Sequence, residues 1–158
     1  MPEQGEKVGP APAPYAYRDN PDVPAFDDSR PLIVFDGDCV FCSRSMRLVG
    51  RADRAGRFRM APAQQPLGRA LYRHIGLPTD RFDTYLVLIE GRLHQRTDAL
   101  IAMAGLLPWP WRAAKLLRFV PRRLRDAGYD LLARHRYRLF GREAACGLAD
   151  PALRDRLP

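Results

Sequence analysis

Lysine is nearly missing from this 158-residue chain: its 26 basic residues include only Lys7 and Lys115, and all the others are arginines. Cysteine is scarce. Three cysteines are too few for a disulfide scaffold. Long apolar runs are lacking as well. The longest, Ala99 to Trp111, has 13 residues and is broken by Gly105, Pro108 and Pro110. A transmembrane helix takes about 20 apolar residues, so none is expected. The N-terminus lacks a basic stretch followed by an apolar one, so no secretory signal is expected either. These absences lead to the expectation of a cytoplasmic, reducing setting.

What is present is ordinary for a globular domain, with 46% hydrophobic and 28% charged residues. The chain is long enough for one core. The net charge of +8 is unevenly placed. Residues 1–30 hold three basic and six acidic groups, whereas residues 112–142 hold ten basic groups against Asp126 and Asp130. A basic region of this kind suits an anionic partner or, more plainly, a solvated helical face.

Residues 1–30 contain six prolines and little periodicity, which predicts a flexible tail. Tyr15, Tyr17 and Phe26 offer a way for part of it to lie along the domain. Leu32-Ile33-Val34-Phe35 is a short apolar run typical of a buried strand, followed by an Asp36-Gly37-Asp38 turn. A helix is expected from Cys39 to about Arg51, with Met46, Leu48 and Val49 as buried candidates. A second strand follows over Arg57–Ala61, then a helix from Pro66 to about Ile75. Tyr85–Ile89 and Arg92–Gln95 read as a hairpin across Glu90-Gly91. Thr97 is the expected N-cap of a helix over Asp98–Leu106. Two helical segments follow, about 112–119 and 122–138, parted by Pro121.

The fold class is therefore α/β: a mixed sheet in the order β-α-β-α-β-β-α with a C-terminal helical extension. Its expected parts are the tail over 1–30, a core over 31–107 and a basic extension over 108–158 packed on the core. In 122–138, Leu124, Gly128, Leu131 and His135 share one stripe, with Leu132 beside it. Such a helix docks on a sheet through its leucines or lies on an anionic membrane; docking is the expectation.

The strongest chemical signal is Cys39-Val40-Phe41-Cys42, placed after a strand and at the start of a helix. Unpaired N–H groups and the helix dipole there favour a thiolate. Cys39, at the outer position, is expected to be the more exposed and to act as nucleophile. Cys42, one turn further, is the resolving thiol. A C-x-x-C beside a βαβ pattern gives a thioredoxin-like redox reading. Asp38 beside Cys39 opposes the thiolate, and Arg44 and Arg47 are candidates to offset it. Asp36 and Asp38 serve equally as turn formers or as groups in proton transfer. The competing reading is zinc, with Cys39 and Cys42 joined by Cys146 and by His74, His94 or His135. No second paired motif supports it, and no metal is expected. No phosphate loop is present and no organic cofactor is expected.

At these residues the sequence resembles the DCC family of thiol-disulfide oxidoreductases, also called domain of unknown function 393. Asp36-Gly37-Asp38-Cys39-Val40-Phe41-Cys42 carries the likeness. Thr97-Asp98-Ala99 and Arg136-Tyr137-Arg138-Leu139-Phe140-Gly141-Arg142, followed by Cys146, extend it. The resemblance implies a thioredoxin-like fold and thiol-disulfide exchange with a protein or small-molecule substrate. It adds Asp98, Tyr137, Arg138 and Cys146 as candidates for site support. The chain departs from typical thioredoxins in having Asp38 before the first cysteine. It also has Asp83-Thr84 rather than a proline before the third strand. The alternative function is a non-catalytic interaction module. Its basic helical face would bind an anionic partner, and its cysteines would be structural or zinc-binding. No specific nucleic-acid platform is seen.

Overall fold

The computed structural model describes residues 11–142 and 151–157. Strand β1 (Leu32–Phe35) leads to helix α1 (Val40–Ala52), strand β2 (Arg59–Pro62) and helix α2 (Pro66–His74). Strands β3 (Leu86–Ile89) and β4 (Arg92–Gln95) precede helix α3 (Arg96–Leu106). A 3₁₀ helix (Trp111–Phe119), helix α4 (Arg122–Phe140) and a short helix α5 (Pro151–Arg154) complete the order. The four strands form one mixed sheet in the order β2-β1-β3-β4. β1 runs parallel to β2 and antiparallel to β3, and β3 pairs antiparallel with β4.

β1 explains the layering. All four of its side chains are buried, and their alternation splits the core in two. Ile33 and Phe35 join Met46, Val49, Met60, Val87, Ala99 and Met103 on the face covered by α1 and α3. Leu32 and Val34 join Leu67, Leu71, Tyr72 and Phe82 on the face covered by α2. α2 approaches the end of β2 closely: a Cβ on Gly68 would lie 2.6 Å from the Pro62 carbonyl oxygen. The β3–β4 turn has positive φ at Glu90 and Gly91, the pattern of a tight primed turn.

Met46 and Val49 of α1 are buried as expected, but Leu48 is 50% exposed. Three further local expectations change. Of the stretch read as a flexible tail, residues 11–30 are described, and Tyr17, Val23 and Phe26 among them pack on the second face of the sheet. Tyr17, in a 3₁₀ turn over Ala16–Asp19, is only 3% exposed and its hydroxyl donates to Asp28 at 2.7 Å. Tyr17 also packs on Phe26, the aromatic route by which part of this stretch could lie along the domain. Thr97 does not cap α3. The helix begins at Arg96, and the Thr97 hydroxyl donates instead to Asp126 of α4.

The third change concerns α4, which packs with the opposite face from the one its leucines suggest. Leu124 is 66% exposed and Leu131 is 60% exposed, and Leu132 is exposed too. The inward face is polar and aromatic, with Arg136 buried and Tyr129 and Tyr137 against the core. The reason is electrostatic. Asp36 and Asp98 line the surface that α4 covers, and buried or half-buried carboxylates need cations and donors. Asp98 takes ion pairs from Arg125 at 2.8 Å and Arg122 at 3.1 Å. The C-terminal segment is held by Arg156, which donates to Asp53 at 2.7 Å and to the Gly50 carbonyl at 3.0 Å.

Candidate active site

The site forms where β1 ends and α1 begins. Cys39 is the N-cap of α1, with extended φ −88° and ψ 115°, and its Sγ accepts the Cys42 backbone N–H at 3.2 Å. The turn before it is tied down by one carboxylate. Asp36, fully buried, accepts the Asp38 N–H at 3.0 Å and the Gln64 amide at 2.6 Å through Oδ1. Gln64 in turn accepts the Gly37 N–H at 3.0 Å. Through Oδ2, Asp36 accepts from Arg136 Nη2 at 3.0 Å and from the Tyr137 hydroxyl. Arg136 also donates to the Phe82 carbonyl at 2.6 Å.

These contacts set the two thiols apart. The hydrogen bond from the Cys42 thiol, then the Cys42 backbone N–H and the Arg136 charge, bring Cys39 down to about 7 against the opposing effects of burial and Asp36. The hydrogen bond to Cys39 and burial push Cys42 well up. The pair titrates as a unit: one proton leaves near neutrality and the second is retained by Cys42. A small cavity of about 10 Å³, near the size of one water, lies beside Cys42. Asp36, Phe82, Thr84, Tyr85, Tyr129 and Arg136 complete its lining. Thr84 and Tyr85 thus stand before β3, on the side facing the cysteine pair.

Cys39 is not the exposed member of the pair. It is 0% exposed, because the chain leaving α4 crosses it. Cys39 and Arg142 form an antiparallel backbone bridge, Phe140 stacks on Phe41 with centroids 4.7 Å apart, and Arg142 reaches Asp38 at 3.8 Å. Gly141, with φ 86°, makes the turn that lays this segment over the site.

Of the other candidates, the structure brings Asp36 and Tyr137 into the site and Asp38 to its rim. Arg44 is exposed on α1; the guanidinium that favours the Cys39 thiolate is Arg136. Asp98 belongs to the α3–α4 contact. Arg138 is exposed on α4. Cys146 lies outside the described residues. His74 contacts Asn20, His94 is on β4 and His135 is exposed on α4. Among the described residues no three His, Cys, Asp or Glu side chains come together as a metal cluster. Arg136 is the residue that the sequence reading missed as a site group. Its signal was its place within Arg136-Tyr137-Arg138, on the face of α4 opposite the leucines.

A buried dithiol at the N-terminus of the first helix of a mixed, thioredoxin-like α/β fold defines the class: a protein built like a thiol-disulfide oxidoreductase. The chain belongs to the DCC1-like thiol-disulfide oxidoreductase family, whose pattern it matches over residues 33–142. It is similar to YuxK of Bacillus subtilis, described as uncharacterized, with 32% identity over 79% of this chain and 91% of that protein. It is also similar to a chloroplastic DCC family protein of Arabidopsis thaliana, with 28% identity over 77% of this chain and 72% of that one. No solved structure matches it significantly.

Proposed function

We propose that the protein carries out thiol-disulfide exchange with Cys39 as nucleophile and Cys42 as resolving thiol. The observation that carries this reading is the Cys39 Sγ accepting the Cys42 N–H at a helix N-terminus, with its pKa lowered to about 7. In the first step the Cys39 thiolate attacks one sulfur of a substrate disulfide. The substrate S–S bond breaks, a mixed disulfide forms and one substrate thiolate leaves. Cys42 then gives up its proton and attacks Cys39 Sγ. The second substrate thiolate leaves, and the protein is oxidised to the Cys39–Cys42 disulfide as the substrate gains two electrons.

Asp36 lines the same small cavity as Cys42, which supports it as the carboxylate that takes the Cys42 proton, directly or through one water. Arg136 and Tyr137 hold that carboxylate in place. Substrates in this reading are disulfide- or thiol-containing proteins or small molecules, met in a reducing compartment such as the cytoplasm. The 140–142 segment must move aside before a disulfide reaches Cys39.

Complete burial of both cysteines favours the second reading, an interaction module with structural cysteines. A redox titration of metal-free protein, read by alkylation and peptide mass spectrometry, separates the two. A reversible Cys39–Cys42 disulfide between roughly −270 and −120 mV, the span of dedicated oxidoreductases, supports exchange. Cysteines that fail to pair support the module.

A further inference from the structure

The geometry points to the outer face of α4 as a docking surface for an anionic lipid bilayer. Along α4, Leu124, Leu131, Leu132 and Leu139 are all exposed, with Gly128 and His135 between them. At helical spacing these positions form one stripe about 22 Å long. Soluble proteins seldom leave so continuous an apolar surface uncovered, and among the described residues nothing covers it. The segment leading into α4 adds Trp109, 77% exposed, and the exposed Phe119.

The charges decide the partner. Arg123, Arg134 and Arg138 flank the stripe on one side and are exposed. Of the two acids of α4, Asp126 turns inward to Thr97, and Asp130, 37% exposed at the edge of the helix, is neutralised by Arg96 at 3.7 Å. The outward face therefore presents leucine and arginine without an opposing acid. Arginine forks suit lipid phosphates, and leucines at the same depth enter the acyl boundary. A second copy of the chain would set arginines against their own images. A nucleic-acid backbone would take the arginines and leave the leucines in water. The inner face of the same helix holds Arg136 and Tyr137, so docking through the outer face leaves the dithiol contacts untouched.

The test is flotation of the full chain with vesicles of equal parts phosphatidylcholine and phosphatidylglycerol, beside pure phosphatidylcholine vesicles. The expected result is binding to the mixed vesicles, at least about tenfold weaker on pure phosphatidylcholine and weakened by salt. Leu124→Glu/Leu131→Glu and Arg123→Glu/Arg134→Glu should each reduce binding about tenfold or more, with unchanged circular dichroism and Cys39 alkylation rate. Absent flotation, or flotation indifferent to these substitutions, overturns the proposal. So does a concentration-dependent dimer in sedimentation that the leucine substitutions abolish, because the face then belongs to a second copy.

Discussion

Arg136 and Asp36, one hundred positions apart, form a buried ion pair at 3.0 Å that joins α4 to the end of β1. Both side chains are almost wholly withdrawn from water, so each depends on the other. The same contact supplies charge to the thiols. Arg136 favours the Cys39 thiolate and Asp36 opposes it, so one ion pair bears on both the fold and the thiols.

Arg136→Met strands the Asp36 carboxylate and should cost about 3–5 kcal/mol in urea unfolding. Asp36→Asn/Arg136→Met should recover a substantial part of that loss, since no charge is left unpaired. Additive losses, with the double variant costing the sum of the two single ones, would show that the ion pair is not what holds α4 in place.

Cys39 should alkylate with a midpoint near pH 7, the rate rising with pH as the thiolate forms. Asp36→Asn removes an opposing charge and should move that midpoint down. Cys42→Ala removes the largest favourable contact and should move it up. Iodoacetamide rates followed by mass spectrometry across the pH range read all three. A midpoint near that of a free thiol, unmoved by either substitution, contradicts the site described here.

The same shifts link to stability with a definite sign. Cys39 titrates lower in the fold, from 9.0 to about 7, so its contribution is full above pH 9.0 and disappears as pH falls through about 7. Cys42 is shifted upward, so its contribution holds below the usual thiol pKa and is lost as pH rises. Unfolding free energy should therefore rise between about pH 7 and 9, and Cys39→Ser should flatten that rise. Denaturant titrations at closely spaced pH values give the slope.

Phe140→Ala loosens the cover over Cys39. Phe140 is partly exposed, so the cost in stability should be small, about 1 kcal/mol or less. The alkylation rate of Cys39 should rise about tenfold, because the stack on Phe41 no longer holds the segment down. An unchanged rate would place the barrier to access elsewhere.

Tyr17→Ala tests the docking of residues 11–30. It empties a pocket shared with Leu32, Val34 and Phe82 and should cost about 3–5 kcal/mol. A loss below about 1 kcal/mol, by chemical denaturation, would mean that the segment contributes little to the fold.

The sheet and the dithiol were legible in the sequence because their signals are local. β1 reads from Leu32–Phe35 alone, and the cysteines read from their position between a strand and a helix. The site partners were not legible to the same degree. Arg136 meets Asp36 only through the tertiary fold, and no short window of sequence contains both. The facing of α4 misled for a physical reason. Hydrophobic periodicity selects Leu124 and Leu131, whereas the surface beneath the helix is lined with carboxylates and demands arginine and tyrosine. Tyr17 stood out among the prolines as an aromatic able to dock, but its burial could not be read from periodicity, since one buried ring needs none around it.

The backbone bridge between Cys39 and Arg142 has a kinetic meaning. A nucleophile that no reagent reaches in the closed form reacts at its intrinsic rate multiplied by the fraction of molecules in which the segment has swung away. Under the proposed exchange, discrimination among disulfides would rest less on their chemistry than on their capacity to take over the Arg142 backbone pairing and displace Phe140 from Phe41. An extended peptide flanking its cysteine can do both, whereas a compact disulfide must wait for the chain to open by itself.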